Sequence, residues 1–399
     1  MKALIADAFP ERYIAAIKEL GVAVDYKPKL KAEELAAHIG DANILVVRST
    51  EVRADCIQSA RVLSLIIRAG AGVNTIDIPA ANERGIYVTN CPGKNSIAVA
   101  ELVMGLILAL DRRIADNVID LRAGKWNKGE YSKADGMYGK TLGLIGVGQI
   151  GKEMIPRAKA FGLHVIGWSR SLTREKAAAL GIDFAGTVQD LVLQCDIISV
   201  HVALKPETKG LISRSVIDLM KPGTIFINTS RAEVVDEEAL ADAAEAGRIR
   251  VGSDVFVGEP EEKAGLFRSR LAMLPNVYGT HHIGASTEQA QNAVADETVA
   301  IIREYIQQGT VRNWVNRARE TAATWQLVVR HHDKPGVLAN VLGDLKASSI
   351  NVEEMENVIF DGGKTACATI RLATKPSDEL IQQMLSRKDE VIQVTLNAL

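Results

Sequence analysis

The chain has 399 residues, 47% of them hydrophobic and 24% charged, and its formal net charge at pH 7 is −2. These values are typical of a globular protein with two or three domains, and they give no reason to expect a nucleic-acid or membrane partner. The four cysteines are scattered and include no C-x-x-C pair. We therefore expect neither disulfide bonds nor a thiolate metal site, a pattern that suits a reducing cytoplasm.

Residues 1–96 alternate between short apolar runs and amphipathic segments. The apolar runs, predicted as strands, are residues 2–6, 22–26, 44–47, 63–67 and 86–89. Such alternation predicts a parallel α/β sheet, and ligands bind such sheets beyond the carboxyl ends of the strands. Arg48-Ser49, residues 70–74 and residues 90–96 follow strand ends, so we expect a ligand near them.

A long apolar helix is predicted over residues 98–113, with the helix continuing to residue 124. A helix that is apolar around most of its circumference is buried, so we expect this one to lie between domains or between chains. A polar connection that begins at residues 125–128 leads from it to the next apolar run.

Residues 141–170 are predicted to form a dinucleotide-binding unit. A short apolar run enters the G-x-G-x-x-G turn of Gly146, Gly148 and Gly151, a helix-compatible run leaves it, and a second apolar run follows. Gly146 permits the tight turn, Gly148 lets the backbone approach a pyrophosphate, and Gly151 lets the helix pack on its strand. The amino end of the helix offers free N–H groups to the phosphates.

The alternation of strands and helices continues after residue 170, and three strand ends carry residues suited to hydride transfer. This reaction needs a clamp for an anionic substrate, a base for the hydroxyl proton and a group that orients the base. Arg231 has the planar fork that suits a carboxylate, His282 belongs to the residue type whose charge in general changes nearest neutral pH, and Glu259 can orient the histidine. The adjacent pairs His281-His282 and His331-His332 point apart in a strand, so no metal site is expected.

Residues 308–323 are polar and poor in strand formers, and we interpret residues 313–323 as a linker. The remaining residues, 324–399, show the order strand, helix, strand, strand, helix, strand. This β-α-β-β-α-β order is typical of a ferredoxin-like domain.

Four motifs in this order resemble the D-isomer-specific 2-hydroxyacid dehydrogenase family. They are the glycine turn, Asn-x-Ser-Arg, Asp-Val-Phe-x-x-Glu-Pro and His-Ile-Gly-Ala-Ser-Thr, and the resemblance covers residues 1–316. It implies an α/β fold with two Rossmann-like parallel-sheet domains. The substrate-binding domain would be discontinuous, with residues 1–96 and 284–312, and the dinucleotide-binding domain would comprise residues 97–283.

The resemblance also implies roles for individual residues. Arg231 would bind the substrate carboxylate and the C2 oxygen, His282 would be the general acid/base, and Glu259 would pair with it. Further substrate contacts are implied for Arg48, Ser49, Gly72, Asn95 and Lys128. Cofactor contacts are implied for Ala71, Gly146, Gly148, Gln149, Ile150, Gly151, Ser169, Arg170, His201, Val202, Thr229, Asp254, His282 and Ala285. Asp254 would contact the nicotinamide carboxamide.

The last domain narrows the expected activity. Residues 331–338 and 350–352 resemble an ACT domain, an amino-acid-sensing module, and an appended ACT domain is similar to the arrangement of the phosphoglycerate dehydrogenases. The resemblance implies NAD-dependent oxidation of D-3-phosphoglycerate to 3-phosphohydroxypyruvate, the first step of L-serine biosynthesis, in a homodimer or homotetramer. An amino-acid effector would contact His331, Asp333 and Asn351. Alternatively, this domain only mediates oligomerisation.

Two departures from the family leave alternatives open. The strand that usually ends in an acidic residue for the NAD ribose ends in Ser169, followed by Arg170, and an arginine there accommodates the 2′-phosphate of NADP. His281 replaces the proline that usually precedes the catalytic histidine. One alternative is an NADPH-dependent reductase of glyoxylate or hydroxypyruvate. Another is a dinucleotide-sensing scaffold or co-repressor without turnover.

Overall fold

The computed structural model describes residues 1–260, 265–318 and 320–399. Its contacts divide the chain into two units, Met1–Asn316 and Arg317–Leu399. This boundary falls inside the predicted linker, of which residues 313–316 belong to the first unit and Arg319 lies outside the described residues. No helix in the described part of the chain is long and apolar enough to cross a membrane.

The first unit begins with a parallel sheet whose strand order is β2-β1-β3-β4-β5. The strands are β1 Lys2–Ile5, β2 Ala23–Tyr26, β3 Ile44–Val47, β4 Leu65–Arg68 and β5 Tyr87–Asn90. The helices between them are α1 Glu11–Glu19, α2 Ala32–Ile39, α3 Ala54–Ser59 and α4 Ile78–Glu83. Alternate residues of β3 and β4 belong to two different core clusters, so the sheet is buried on both faces, as a parallel sheet requires.

Between the two sheets of this unit, the chain forms helices α5 Ser96–Arg112, α6 Ile114–Arg122 and α7 Lys128–Tyr131. The prediction of one uninterrupted helix to residue 124 was wrong. Arg113 has a left-handed φ of 49°, and α5 ends there because a left-handed residue cannot continue a right-handed helix. Most of α5 is buried in the core of the sheet that follows.

The second sheet of the first unit is also parallel, with the order β12-β11-β10-β9-β6-β7-β8. Its strands are β6 Thr141–Ile145, β7 His164–Trp168, β8 Asp183–Phe184, β9 Ile197–Val200, β10 Thr224–Asn228, β11 Ile249–Ser253 and β12 Val277–Gly279. Its helices are α8 Gln149–Ala160, α9 Arg174–Leu180, α10 Val188–Val192, α11 Arg214–Asp218 and α12 Glu237–Glu245. Two short 3₁₀ helices lie at Ala232–Val234 and Leu271–Met273. The strand order reverses between the neighbours β6 and β9, and ligands bind parallel sheets at such a point.

Helix α13, Glu288–Gln308, returns to the first sheet. Its Val299 and Ile302 share a core cluster with Ile5 and Ile14.

The chain beyond α13 then binds along β5. The Val315 amide donates to the Val88 carbonyl at 2.8 Å, and the Val88 amide donates to Asn316 Oδ1 at 2.8 Å. The Thr89 hydroxyl donates to the Arg312 carbonyl at 2.5 Å.

The second unit contains an antiparallel sheet with the order β14-β15-β13-β16. Its elements are β13 Trp325–His332, α14 Val337–Ala347, β14 Val352–Ile359, β15 Thr365–Leu372, α15 Asp378–Ser386 and β16 Val391–Ala398. The predicted β-α-β-β-α-β order is confirmed. Residues from both helices, such as Val341 and Met384, share one core cluster with Leu327 and Ile370 of the sheet.

Candidate active site

The three glycines of the turn after β6 differ in their surroundings. Gly146 has a φ of 105°, and a Cβ there would lie 2.7 Å from the carbonyl carbon of His201. A Cβ at Gly151 would lie 2.3 Å from the Gly146 carbonyl oxygen, whereas Gly148 has open space around it. Gly146 and Gly151 are therefore required by the turn itself, while Gly148 leaves room for a ligand to approach the backbone at the amino end of α8.

Two buried polar atoms just beyond β9 and β10 lack a hydrogen-bond partner among the residues that the structure describes. They are His201 Nδ1 and Thr229 Oγ1. Burial lowers the pKa of His201 to about 4, so the ring is neutral at pH 7, and its Nε2 lies 2.9 Å from the Ser199 hydroxyl. Because an unpaired buried polar atom is costly, a dinucleotide that supplies the missing partners fits this edge of the sheet.

Ser169 and Arg170 follow β7, the strand at whose end the ribose of a dinucleotide binds. Arg170 Nη1 donates to Glu207 Oε1 at 3.1 Å, and Glu207 comes from the loop after β9. Both side chains are 56% exposed. Sequence reasoning did not include Glu207 in the site, since nothing in the local pattern links the two loops.

Arg231 is presented by a folded loop after β10. Asn228 Oδ1 accepts hydrogen bonds from the amide and the hydroxyl of Ser230 at 3.0 and 2.8 Å, and Asn228 Nδ2 donates to the Arg231 carbonyl at 3.1 Å. Arg231 Nη2 lies 3.5 Å from Asn74 Oδ1, and a Cβ at Gly72 would come within 3.1 Å of the same Nη2. The structure thus brings Arg231 of the second sheet to Gly72 of the first.

Two further arginines lie near Arg231, at the carboxyl ends of β3 and β4. Burial, and then the positive charges of Arg231 and Arg48, lower the pKa of Arg68 to about 10. Arg68 Nε lacks a hydrogen-bond partner within the described ranges. The guanidinium of Arg68 lies directly beside Gly70, where a Cβ would be 1.7 Å from Arg68 Nη1. Three cations near one another, two from the first sheet and one from the second, favour an anionic ligand.

Sequence reasoning missed Arg68, although the same rule that selected Arg48 applies to it, because both stand at the carboxyl end of a parallel strand. Arg48 and Ser49 are held in place by Asp7, whose Oδ2 accepts hydrogen bonds from their amides at 2.6 and 3.0 Å. Asp7 itself lies just beyond β1, so adjacent strand ends fix one another.

His282 and Glu259 form the predicted pair. His282 Nδ1 lies 2.7 Å from Glu259 Oε2, and Glu259 Oε1 accepts a hydrogen bond from the Phe256 amide at 2.7 Å. Burial raises the pKa of Glu259, but the hydrogen bonds from His282 and Phe256 outweigh it, and the net pKa lies below the usual value. An ionised carboxylate only accepts hydrogen bonds, so Nδ1 carries a proton and Nε2 is left to exchange one with a substrate.

Asp254 holds the loop that carries His282. Its buried carboxylate accepts hydrogen bonds from the Thr280 hydroxyl at 2.5 Å and from the amides of Ile283 and Gly284 at 2.8 Å. His282 has a φ of 51°, a left-handed conformation that costs a non-glycine residue about 1–2 kcal/mol. Asp254 therefore stabilises a strained loop, which the sequence did not reveal.

The loop after β5 contacts residues that were predicted to bind the cofactor, and it contains Asn95, which was predicted to bind the substrate. Asn90 Nδ2 donates to the Ala71 carbonyl at 2.5 Å, and a Cβ at Gly93 would lie 3.4 Å from Gln149 Cγ. Asn95 stands at the amino end of α5, where its side chain makes no capping hydrogen bond.

Other predicted ligand residues have less defined surroundings. The partly buried ones are Ile150, Val202 and Ala285. Lys128 lies exposed on α7, and within the described residues no hydrogen bond or ion pair joins its side chain to the arginines.

The three predicted effector residues of the second unit are not brought together within one chain. His331 lies level with Ala366, and Ala366 with Ile359, at the carboxyl end of β14. Asn351 precedes the other end of β14. Because each strand residue adds about 3.4 Å, the length of β14 separates Asn351 from His331. Asp333, just beyond β13, is on the His331 side. His331 is buried, with Nε2 3.1 Å from Asn357 Oδ1.

Asn351 instead lines a cleft of about 430 Å³ at the other end of the sheet. The cleft is formed by Leu342, Leu345, Lys346, Ser349, Ile350, Asn351 and Val352.

Several known proteins are similar to this chain. A family model described as D-isomer specific 2-hydroxyacid dehydrogenase, NAD binding domain, matches residues 104–284. The D-3-phosphoglycerate dehydrogenase of Methanocaldococcus jannaschii is 38% identical over 362 residues, which is 90% of this chain and 64% of that protein. The hydroxypyruvate reductase of Thermotoga maritima is 42% identical over 272 residues, which is 68% of this chain and 87% of that protein.

Among solved structures, NAD⁺-bound 3-phosphoglycerate dehydrogenase of Entamoeba histolytica has a TM-score of 0.66 and 28% identity, over 79% of this chain and 99% of that one. The chain therefore spans nearly the whole of some relatives but only 64% of the length of the Methanocaldococcus protein.

Proposed function

Because the chain belongs to the D-isomer specific 2-hydroxyacid dehydrogenase family, we propose that it oxidises D-3-phosphoglycerate to 3-phosphohydroxypyruvate, the first step of L-serine biosynthesis. NAD is the cofactor, since the matching family model is that of an NAD binding domain. The open space at Gly148 and the unpaired atoms of His201 and Thr229 support binding of a dinucleotide at this sheet edge.

The arginine cluster of Arg48, Arg68 and Arg231 is the observation that carries the substrate assignment. A 2-hydroxy acid without a phosphate brings one negative charge, and Arg231 alone can hold its carboxylate in a bidentate manner. Arg68, whose pKa is lowered to about 10 chiefly by burial and whose Nε has no hydrogen-bond partner in the described part of the chain, is suited to hold a further anion. A phosphorylated 2-hydroxy acid supplies this second anionic group, and arginine is well suited to phosphate.

In the oxidative direction, His282 Nε2 accepts the proton of the C2 hydroxyl, while Glu259 stabilises the resulting imidazolium through Nδ1. NAD supplies the acceptor of the hydride that leaves C2. Arg231 holds the carboxylate and polarises the C2 oxygen, and Asp254 keeps the His282 loop in position. In the reverse direction the protonated His282 donates.

The assignment is tested by steady-state kinetics on 3-phosphoglycerate, phosphohydroxypyruvate, hydroxypyruvate and glyoxylate, with wild type and Arg68→Leu. Loss of a hydrogen bond to a charged group costs about 1.5–3 kcal/mol, so we expect kcat/KM for phosphohydroxypyruvate to fall about 10- to 150-fold. For hydroxypyruvate it should change less than about threefold, because no phosphate is present to lose a partner. Arg61→Leu is the control for the substitution type, since Arg61 is exposed in the loop before β4.

A hydroxypyruvate reductase is the second candidate, because the Thermotoga maritima reductase shares 42% identity over 87% of its length. In that case wild type would prefer hydroxypyruvate over its phosphorylated form, and Arg68→Leu would affect the two substrates equally.

For the second unit, we propose an ACT-type amino-acid site that needs two copies of the chain. His331 and Asp333 lie at the opposite end of the sheet from Asn351, so a site using all three residues takes Asn351 from a second copy. This geometry supports a homodimer or homotetramer. A thermal-shift screen of amino acids checks it: a stabilising amino acid should lose its effect in both His331→Ala and Asn351→Ala.

A further inference from the structure

In the dinucleotide-binding unit β6–α8–β7, the residues after β7 and the matching family model point to different cofactors. The residue that ends the β6–α8–β7 unit decides between a ribose 2′-hydroxyl and a 2′-phosphate, and acidic residues select the hydroxyl. Here that position holds Ser169, and Arg170 follows it, a pair that would favour NADP. The family model nevertheless describes an NAD binding domain.

A carboxylate does lie beside Arg170, but it belongs to Glu207, which comes from the loop after β9 and not from the end of β7. In the sheet β9 lies beside β6, and β6 lies beside β7. The ion pair of Glu207 with Arg170, 3.1 Å long, therefore joins the loops on either side of the glycine turn. This ion pair could not be predicted from local sequence patterns, since Arg170 and Glu207 are 37 residues apart in the chain.

The loop that carries Glu207 is held in one conformation. The buried Thr208 hydroxyl accepts a hydrogen bond from the Lys205 amide at 2.9 Å and lies 2.6 Å from the Ala203 carbonyl, to which it donates. Glu207 therefore lies next to a hydrogen-bonded residue, in the turn over residues 206–210 that comes after β9. A hydrogen bond from its own backbone amide, and then that from Arg170, lower the pKa of Glu207.

We propose that Glu207 is a specificity-determining residue, whose carboxylate engages the Arg170 guanidinium and repels the 2′-phosphate of NADP, so that the site selects NAD without an acidic residue at the end of β7. A 2′-phosphate would have to displace Glu207 from Arg170 or lie beside a like charge. A 2′-hydroxyl meets no such repulsion. This proposal rests on one part of the proposed function, the binding of a dinucleotide at this site. It does not depend on which substrate the protein uses.

Equilibrium titration with NADH and NADPH tests it without turnover. The readout is the ratio of the two Kd values in wild type, Glu207→Gln, and the double variant Glu207→Gln with Arg170→Ala. The same proteins are titrated with adenosine 2′,5′-bisphosphate and with 5′-AMP, which lack the nicotinamide and differ from each other only in the 2′-phosphate. Asp242→Asn is the control, because it also removes a carboxylate that is ion-paired with arginine, here Arg214 and Arg270, and it lies on α12.

We expect Glu207→Gln to shift the ratio towards NADPH, and towards the 2′,5′-bisphosphate, by about tenfold or more, as removal of a like charge predicts. The double variant should lose this gain, since Arg170 is then absent, and Asp242→Asn should keep the wild-type ratio. An unchanged ratio in Glu207→Gln overturns the proposal, as does a gain that persists without Arg170. Wild type that binds NADH but turns over no phosphoglycerate contradicts the proposed substrate and leaves this measurement intact.

Discussion

For single residues, the proposed chemistry depends on the hydrogen bond between His282 and Glu259. The carboxylate has a lowered pKa because His282 and the Phe256 amide both donate to it, against the effect of burial. It therefore stays ionised over the pH range in which a histidine titrates, and it fixes the proton on Nδ1. The pair was predicted from motif order, and its 2.7 Å geometry is present, while the catalytic role stays a prediction.

Glu259→Gln should lower kcat about 10- to 100-fold, a part of the 10²–10⁴-fold that a general acid/base contributes. The neutral amide at position 259 no longer favours the imidazolium form of His282, so the pH dependence of kcat should shift relative to wild type. NADH affinity should stay close to that of wild type, because the hydrogen-bond partners of Glu259 among the described residues are His282 and Phe256, neither of which belongs to the glycine turn. Kinetics between pH 6 and pH 9 with a parallel NADH titration check this. A kcat within twofold of wild type would contradict the proposed pairing.

The same variant has an effect on stability with a defined pH window. Because the folded pKa of Glu259 lies below its ordinary value of 4.5, its carboxylate stabilises the folded state above pH 4.5, and this contribution is lost as the pH falls through the folded pKa. The difference in the free energy of unfolding between wild type and Glu259→Gln should therefore be largest at neutral pH and narrow below pH 4.5. Urea unfolding at several pH values measures it.

At the scale of elements, the turn between β6 and α8 separates two demands on glycine. Gly146 and Gly151 are surrounded by their own backbone, whereas Gly148 borders open space. The G-x-G-x-x-G spacing predicted all three roles, because each follows from backbone geometry within a few residues. By contrast, the break between α5 and α6 at Arg113 was not predicted, since the apolar pattern continues through it.

Gly148→Ala and Gly146→Ala should therefore fail in different ways. Gly148 has an extended backbone conformation that alanine adopts, so Gly148→Ala should melt at nearly the wild-type temperature but bind NADH at least about tenfold more weakly, because its methyl group fills the space for the phosphates. Gly146→Ala should lower the melting temperature, because its Cβ meets the His201 backbone at a φ of 105°. Thermal melts and NADH titrations compare them. Equal NADH affinity in Gly148→Ala and wild type would remove the phosphate-loop assignment.

At the scale of the whole molecule, the segment before the unit boundary belongs structurally to the first sheet. Trp314 packs edge-on against Tyr87 with ring centroids 4.8 Å apart, and Asn316 Nδ2 donates to the Ile86 carbonyl at 3.0 Å. The composition of residues 308–323 suggested a polar connector, and composition alone does not show that its first part completes β5.

A chain that ends after Asn316 should fold and keep its NADH affinity, because the contacts of unit Met1–Asn316 are internal to it. A chain that ends after residue 310 should melt at a lower temperature, since the Val315 and Asn316 hydrogen bonds to β5 and the Trp314 contact are lost. The longer chain should also lose any thermal shift caused by an amino acid. Equal melting temperatures for the two truncated chains would show that residues 311–316 contribute little to the first unit.

The sequence by itself predicted most of the order of helices and strands, the glycine turn and the candidate residues Arg231, Glu259 and His282, because periodicity and short motifs report the local backbone. Only the tertiary structure decided which distant loops meet. Arg68 joins Arg48 and Arg231, Glu207 reaches Arg170, and Asn351 lies apart from His331. Each of these depends on strand order and register, and two loops far apart in the chain meet only when their strands are neighbours in the folded sheet.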